Sequence, residues 1–357
     1  MTNKKTPFIS IDNRLIGAEY PPYIIAELSA NHNGSIDTAY KIIDAAKKSG
    51  SDAIKIQSYL PSTITLDCGK ADFQITEGLW AGNTLYELYE GAHMPWEWHK
   101  PLFEYAKKIG ISIFSSPFDH TAVDLLEDLN APAYKIASFE AIDLPLIKYV
   151  AATGKPMIIS TGMANADEIE EAIDTARAGG CKELAILHCV SGYPAKAGDY
   201  NLRTIPDMVQ RHGLVTGLSD HTIDNITAVT SVAMGAAIIE KHVTLDRQGG
   251  GPDDSFSLEP EELTALVTSA NTAWESLGVV SYDLKESEKG NKIFRRSLYA
   301  VADIKAGELM TANNVRSVRP GFGLPPRDYD SILGKKASVD IEFGTALSWE
   351  LIEGKKV

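Results

Sequence analysis

Two lysines stand where lysine is costly. Lys55 and Lys135 lie inside short β-rich runs and alternate with Ile54, Ile56 and Ile136, so both side chains are predicted to point into an interior. A buried ammonium group without a partner loses its charge or destabilises the fold. Two arrangements resolve that cost. One is a pair of inward ion pairs with Glu27 and Glu140; the other is a pair of fixed cations that meets a phosphate or carboxylate, with the hydroxyls of Ser116, Ser138, Ser160 and Ser219 completing the cradle. His221 and His242 end two consecutive runs, beside Asp220 and Glu240. Imidazoles so placed can hold a divalent metal facially and leave positions open to substrate oxygens; a purely structural role is the alternative. No His-Glu-x-x-His or cysteine ligand pattern competes with them, and His32, His93, His99 and His120 are left unassigned.

The runs that must position these side chains are Tyr23–Leu28, Ala53–Tyr59, Ile111–Ser115, Ala133–Ala137, Pro156–Thr161, Leu184–Val190, Val215–Ser219 and Ala237–His242. Between them lie segments with helical spacing, such as Ala39-Ile42-Ile43-Ala46 and Ile169-Ala172-Ile173-Ala176. Gly50, Gly110, Gly154 and Gly179 fall at expected C-caps. Eight strand–helix units predict an α/β fold, a (β/α)8 TIM barrel over residues 1–280. A doubly wound open sheet is the alternative, but no Gly-x-Gly-x-x-Gly follows the first strand. Every predicted strand ends in polar side chains, among them Glu27, Gln57, Ser116, Glu140, Ser160, Ser191, Tyr193 and Ser219, as expected of the catalytic face of a barrel. A long polar and aromatic insertion, residues 60–94, leaves the second strand on that face. After the eighth, Gly249-Gly-Gly-Pro-Asp253 either lets a backbone approach a ligand, with Asp253 accepting hydrogen bonds from sugar hydroxyls, or is simply a turn. Residues 281–295 read as a polar linker, and 296–357 as a small β-rich domain with strands near 297–302, 304–308, 315–320, 321–326 and 347–349.

Composition narrows the partners. The 357 residues are 44% apolar, enough for a large core, and carry a net charge of −14 from 34 basic and 48 acidic side chains. That balance, with no basic run, argues against nucleic acid. No apolar stretch approaches the roughly 20 residues that span a bilayer, and no signal core follows the first lysines. Cys68, Cys181 and Cys189 suggest neither a disulfide framework nor a zinc site, so a cytoplasmic protein is expected.

Eight motifs taken in order resemble the sialic acid synthase family: Glu27-x-x-x-Asn31-His32-Asn33-Gly34, Lys55-Ile-Gln57, Ser116-Pro-Phe-Asp119, Tyr134-Lys135-Ile-Ala-Ser138, Ser160-Thr-Gly-Met163, Gly217-Leu-Ser-Asp-His221, Glu240-Lys-His242 and Gly251-Pro-Asp253. The tail looks like the SAF (antifreeze-like) domain that follows the barrel in that family. Leu85-Tyr-Glu-Leu-Tyr-Glu-Gly-Ala-His-Met-Pro-Trp96 and the Asp253-Asp-Ser-Phe segment look most like the pseudaminic acid synthase branch. The resemblance implies a transferase that condenses phosphoenolpyruvate with an open-chain diacetamido-trideoxy sugar and water. On that implication Lys55, Lys135 and the serines neutralise phosphoenolpyruvate, and His221 and His242 hold Mn2+ or Mg2+. Glu27, or else Glu140, moves a proton, while Gln57, Tyr193 and Asp253 hold substrate oxygens. Ser191-Gly192-Tyr193 departs from the Asn-x-Tyr of many family members, which leaves the contact at Ser191 open. Arg319, in Val318-Arg-Pro-Gly321, matches the arginine that reaches the sugar of a partner subunit in a domain-swapped homodimer; a plain surface role is equally compatible with its context. Two other readings are a neuraminic or legionaminic acid synthase with a mannosamine-type acceptor, and a non-catalytic sugar- or ice-binding protein suggested by the tail. The seven Arg and Lys side chains at 295, 296, 316, 319, 327, 335 and 336 are unlike the flat small-residue face that binds ice.

Overall fold

The computed structural model describes residues 6–354. Twelve strands fall in chain order: β1 (Ile9–Ile11), β2 (Arg14–Ile16), β3 (Tyr23–Glu27), β4 (Ala53–Ser58), β5 (Ser112–Pro117), β6 (Tyr134–Ile136), β7 (Met157–Ser160), β8 (Leu184–Cys189), β9 (Val215–Asp220), β10 (Ile238–His242), β11 (Ser297–Ala300) and β12 (Val315–Val318). Strands β3 to β10 form a closed parallel barrel in sequence order, with β10 returning to pair with β3. The predicted (β/α)8 architecture is the one observed.

Alternation explains what faces where. Ile24, Ala26, Ile54, Ile56, Ile136, Ile159, Ile186, Leu218 and Ile239 join one core with helix residues such as Ile42, Ile43, Leu102 and Leu126. Their neighbours Glu27, Lys55, Lys135, Ser160 and Glu240 therefore take the opposite face, the inside of the barrel. Inside, packing is tight at Gly217, where a Cβ would meet the Ile238 carbonyl oxygen and lie 2.7 Å from a Leu187 methyl.

The hairpin β1–β2 was not anticipated. Its turn residues Asp12 and Asn13 both have positive φ (47° and 66°), the two-residue turn that suits a twisted hairpin. Ile9, Ile11 and Ile16 join Tyr23, Ala53, Ala133, Val215 and Ala237 in a second core cluster, which closes the barrel at the N-terminal ends of its strands. At the opposite ends, loops begin helices with side-chain caps: Ser35 before Ile36–Ser49, Asp119 before His120–Asp128, and Asn165 before Ala166–Ala178. Gly50 and Gly110 are left-handed C-terminal caps; Gly154 is left-handed too, but lies two residues past Ala152, which caps Leu144–Ala151. Gly179 is not: its φ is −72°, Gly180 carries the positive φ, and a Cβ at 179 would lie 2.6 Å from that of Ala151.

The chain divides after Gly278 into two compact units. In the second, Glu286–Phe294 forms a 3-10 helix, and β11 pairs antiparallel with β12 over a core of its own that includes Leu298, Met310, Val315, Ile332, Ile341 and Leu347. The run expected at 304–308 contributes a single bridge, Ile304 to Ile341; that expected at 347–349 follows the bridge of Ala346 to Tyr299 and gives way at Trp349 to the 3-10 helix Trp349–Leu351. Pro320, Pro325 and Pro326 keep 321–326 from continuing a ladder.

Candidate active site

The C-terminal mouth of the barrel gathers the costly side chains around one carboxylate. Glu240 Oε1 lies 3.6 Å from Lys55 Nζ and 3.6 Å from Lys135 Nζ, and accepts a 3.4 Å hydrogen bond from Ser219 Oγ. Lys55 Nζ also lies 2.7 Å from Glu27 Oε2 and donates to Ser116 Oγ at 3.1 Å. Glu27 Oε1 accepts from the Gln57 amide, 3.0 Å away, which donates as well to Ser29 Oγ. Both lysines, Glu27 and Glu240 are almost wholly buried. Of the two ion pairs expected from the sequence, that with Glu27 forms; the second partner is Glu240, not Glu140, because β10 lies across the barrel interior from β6 while Glu140 is already past the strand, in the turn Ser138–Glu140.

Burial sets the charges, and neighbours correct them. It pushes the Glu27 carboxyl up against the pull of Lys55. It opposes the charged form of Lys55, but Glu240 and Glu27 more than compensate and raise the pKa. Lys135 has less help: burial and the repulsion of Lys55 outweigh Glu240, and its pKa falls. Burial works against the Glu240 carboxylate too, yet Lys135, Lys55 and His221 hold its pKa below the usual value. Two ammonium groups thus face two carboxylates, and Lys135, held at 3.6 Å by a carboxylate that it shares with Lys55, is the less committed cation and the one better placed to meet an incoming anion.

Beside the lysines lies a cradle of unused hydroxyls. Ser160 Oγ and Ser191 Oγ are buried without a hydrogen-bond partner, and Ser138 Oγ accepts from the Gly162 N–H at 3.2 Å. A Cβ at Gly162 would strike Ser191 Oγ and lie 2.8 Å from Ser138 Oγ, so glycine keeps the cradle open. Orphaned buried hydroxyls near fixed cations are what a phosphate or carboxylate would satisfy.

His221 and His242 meet across β9 and β10 with ring centroids 5.4 Å apart. His221 Nδ1 lies 2.8 Å from the Val190 carbonyl, which can only accept, so Nδ1 carries a hydrogen; burial opposes the ring's charge, but the Cys189 side chain beside it and the Val190 carbonyl raise its pKa. Burial, then the charge on His221, push the His242 pKa well down, and its Nδ1 has no hydrogen-bond partner. Asp253 Oδ2 lies 3.7 Å from that nitrogen and accepts from Ser29 Oγ. A neutral imidazole with an orphaned nitrogen, facing a second imidazole ring 5.4 Å away, fits a divalent cation that takes its remaining ligands from substrate. Among the described residues no group of three or more His, Cys, Asp or Glu is arranged to hold a metal. Asp220, expected beside the imidazoles, faces outward: it pairs with Lys241 at 3.0 Å, as alternation along β9 and β10 requires.

Tyr193 packs against this pair, its ring tilted 45° to that of His221 at 4.4 Å and edge-on to that of His242 at 6.4 Å. Glu140 is at the rim; burial raises its pKa to about 7, and its Oε2 has no partner. The glycines after β10 pack against the chain rather than leaving room for a ligand: a Cβ at Gly251 would strike Asn33, and one at Gly249 would lie 2.6 Å from Asp254. Asn31 and Asn33 are struts that fix this loop, bonding to Val243, Ser257 and Asp254. Arg319 is exposed in the second unit. Sequence reasoning had set Glu240 beside the imidazoles rather than on the lysines, and had cast no role in the site for Ser29 or Cys189. Each shares the parity of a residue already singled out (His242, Glu27 and Ser191), which was the available signal.

The NeuB family model matches residues 42–282 and the SAF domain model residues 295–353. The chain is 47% identical over 325 residues to the pseudaminic acid synthase of Campylobacter jejuni subsp. jejuni serotype O:23/36 (strain 81-176), covering 91% of this chain and 95% of the relative. To the pseudaminic acid synthase of Helicobacter pylori it is 42% identical over 335 residues, 93% and 98% of the two chains. A crystal structure of N-acetylneuraminic acid synthetase from Leptospira borgpetersenii in complex with citrate matches with a TM-score of 0.72 at 31% identity, over 80% of this chain and 95% of that one. With likeness running through both units and the same barrel beneath it, the chain belongs to the NeuB family and ends in a SAF domain.

Proposed function

We propose that the protein is a pseudaminic acid synthase, condensing phosphoenolpyruvate with 2,4-diacetamido-2,4,6-trideoxy-L-altrose and water to give pseudaminic acid and phosphate. The observation that carries the chemistry is the pair of buried ammonium groups on one Glu240 oxygen beside the unpartnered hydroxyls of Ser160 and Ser191. The choice of acceptor rests on the 42–47% identity to pseudaminic acid synthases.

Phosphoenolpyruvate brings a phosphate and a carboxylate. Lys55 and Lys135 neutralise them, and Ser116, Ser138, Ser160, Ser191 and Ser219 donate hydrogen bonds. Gln57, Tyr193 and Asp253 orient the acceptor. His221 and His242 would hold Mn2+ or Mg2+, which supplies Lewis-acid polarisation of the acceptor aldehyde. The enol carbon attacks that aldehyde carbon, and positive charge develops at the carbon bearing phosphate. Water adds there, and the tetrahedral intermediate expels phosphate by C–O cleavage. Glu27 moves a proton at the sugar or the water, and Glu140, with a pKa near 7, is the second group able to do so. Arg319 reaches the sugar of a partner subunit in a domain-swapped homodimer. The substrates place the enzyme in the cytoplasm, and neither nucleic acid nor membrane takes part.

The test is a mass-spectrometric product assay with phosphoenolpyruvate, Mn2+ and either the trideoxy sugar or N-acetylmannosamine. Phosphate release and a pseudaminic acid mass with the first sugar are expected, and turnover is lost in Lys135→Ala. Product from N-acetylmannosamine alone, or unchanged turnover in the variant, overturns the proposal.

A further inference from the structure

The insertion at 60–94 contributes nothing to the chemistry above, yet it roofs the site. Its helices Pro61–Ile64 and Leu85–Ala92 bound a cavity of about 360 Å3 whose floor includes Gln57, Glu140, His242 and Asp253. The volume suits a single small ligand. The roof is mostly apolar: Ile64, Ile75, Trp80, Leu85 and Leu88 line it, all half-buried, and Tyr89 adds a phenol beside them. Ile75 is fixed by backbone bonds that close the loop 75–83, its N–H donating to the Asn83 carbonyl and its carbonyl accepting from the Gly82 N–H, each at 2.9 Å. Trp80 has one donor, and it is committed: the indole N–H bonds the Pro252 carbonyl at 3.0 Å, which latches the insertion to the loop after β10. Its ring lies 5.7 Å from that of Tyr193. A hydroxyl pressed against this roof would lose water and find no partner from these five side chains, whereas a methyl group would gain from burial.

We propose that Ile64, Ile75, Trp80, Leu85 and Leu88 form a wall that reads the methyl-bearing part of the acceptor, its 6-deoxy terminus and acetamido methyls, and so set specificity against hydroxylated sugars. The inference rests on the proposed function and names the residues that choose the substrate within it. Polar floor and apolar roof divide the work: the floor holds the reacting end, and the roof selects the far end.

The experiment compares kcat/KM for the trideoxy acceptor and for its 6-hydroxy counterpart, in the wild type and in Ile75→Ser and Leu88→Ser. The KM for phosphoenolpyruvate and a melting curve monitor folding. The wild type is expected to prefer the 6-deoxy sugar by about tenfold or more, the scale of one methyl group in an apolar pocket. Each variant moves that ratio toward equality by about tenfold while the phosphoenolpyruvate KM stays within about twofold. A wild type indifferent to the two sugars overturns the proposal, as do variants that keep the wild-type ratio, whether or not both rates fall. Failure of the underlying reading looks different: the wild type then makes product with neither sugar, and the inference falls with it.

Discussion

The Glu140 carboxyl sits at the rim of the barrel with one oxygen unpartnered, and burial lifts its pKa from 4.5 to about 7. Folding therefore takes up a proton at this position between those two values. Below about pH 4.5 the group is neutral in both states and contributes no difference; above about 7 it is ionised in both, and the folded state bears the cost of a poorly solvated charge. Glu140→Gln should melt higher than the wild type at pH 8, with the gap closing as pH falls toward 4.5. If Glu140 moves the proton, kcat drops by roughly 10²–10⁴-fold in the same variant. The wild-type bend in kcat near pH 7 also disappears; a bend that survives the substitution assigns the transfer elsewhere.

At the scale of elements, the barrel places chemistry by parity. Strands β4, β6 and β10 turn isoleucines out to the helices and Lys55, Lys135 and Glu240 in to the site. Two glycines mark the two ends of this interior. Gly217 lies within β9, against Ile238 and Leu187, whereas Gly162 lies beyond β7, against Ser138 and Ser191. Adding one methyl at each should separate folding from binding. Gly217→Ala is expected to cost about 1–3 kcal/mol of stability by overpacking, read from denaturant melts, with little change in the phosphoenolpyruvate KM. Gly162→Ala should raise that KM by roughly tenfold, the equivalent of about one lost hydrogen bond to a charged group. Equal effects of the two on KM would mean that the serine cradle does not hold the donor.

For the whole molecule, the two units carry separate cores, and Arg319 is exposed on the smaller one. If it completes a partner's site, two differently damaged chains should repair one another. Arg319→Ala and Lys135→Ala are each expected to turn over poorly, and a mixture allowed to exchange subunits should recover activity through hybrid dimers that own one intact site. Recovery requires both defects to fall in the same site of the hybrid, which leaves the other site intact. A mixture no more active than its components would confine Arg319 to its own barrel or to a surface role.

Much of this protein was determined locally. The eight β-rich runs, their helical intervals and the parity of Lys55 and Lys135 follow from side-chain period, a property of neighbours in sequence, and they lead to the barrel without coordinates; the tail is legible by the same means only as a small β-rich domain, and its likeness to a SAF domain came with the family resemblance. The hairpin β1–β2 was missed because three-residue strands are too short to show a period; its Asp12-Asn13 turn was the only mark. Which carboxylate pairs with which lysine was decided only in three dimensions. Glu27, Glu140 and Glu240 all end strands or follow them, and sequence spacing does not rank them. Barrel closure does: it joins β10 to β3 and sets Glu240 between Lys55 and Lys135, while Asp220 turns away to Lys241. The same closure brings the roof at 60–94 over His242 and Asp253, residues far along the chain. Coulombic and packing partners are chosen by distance in space, and the ring of strands sets those distances.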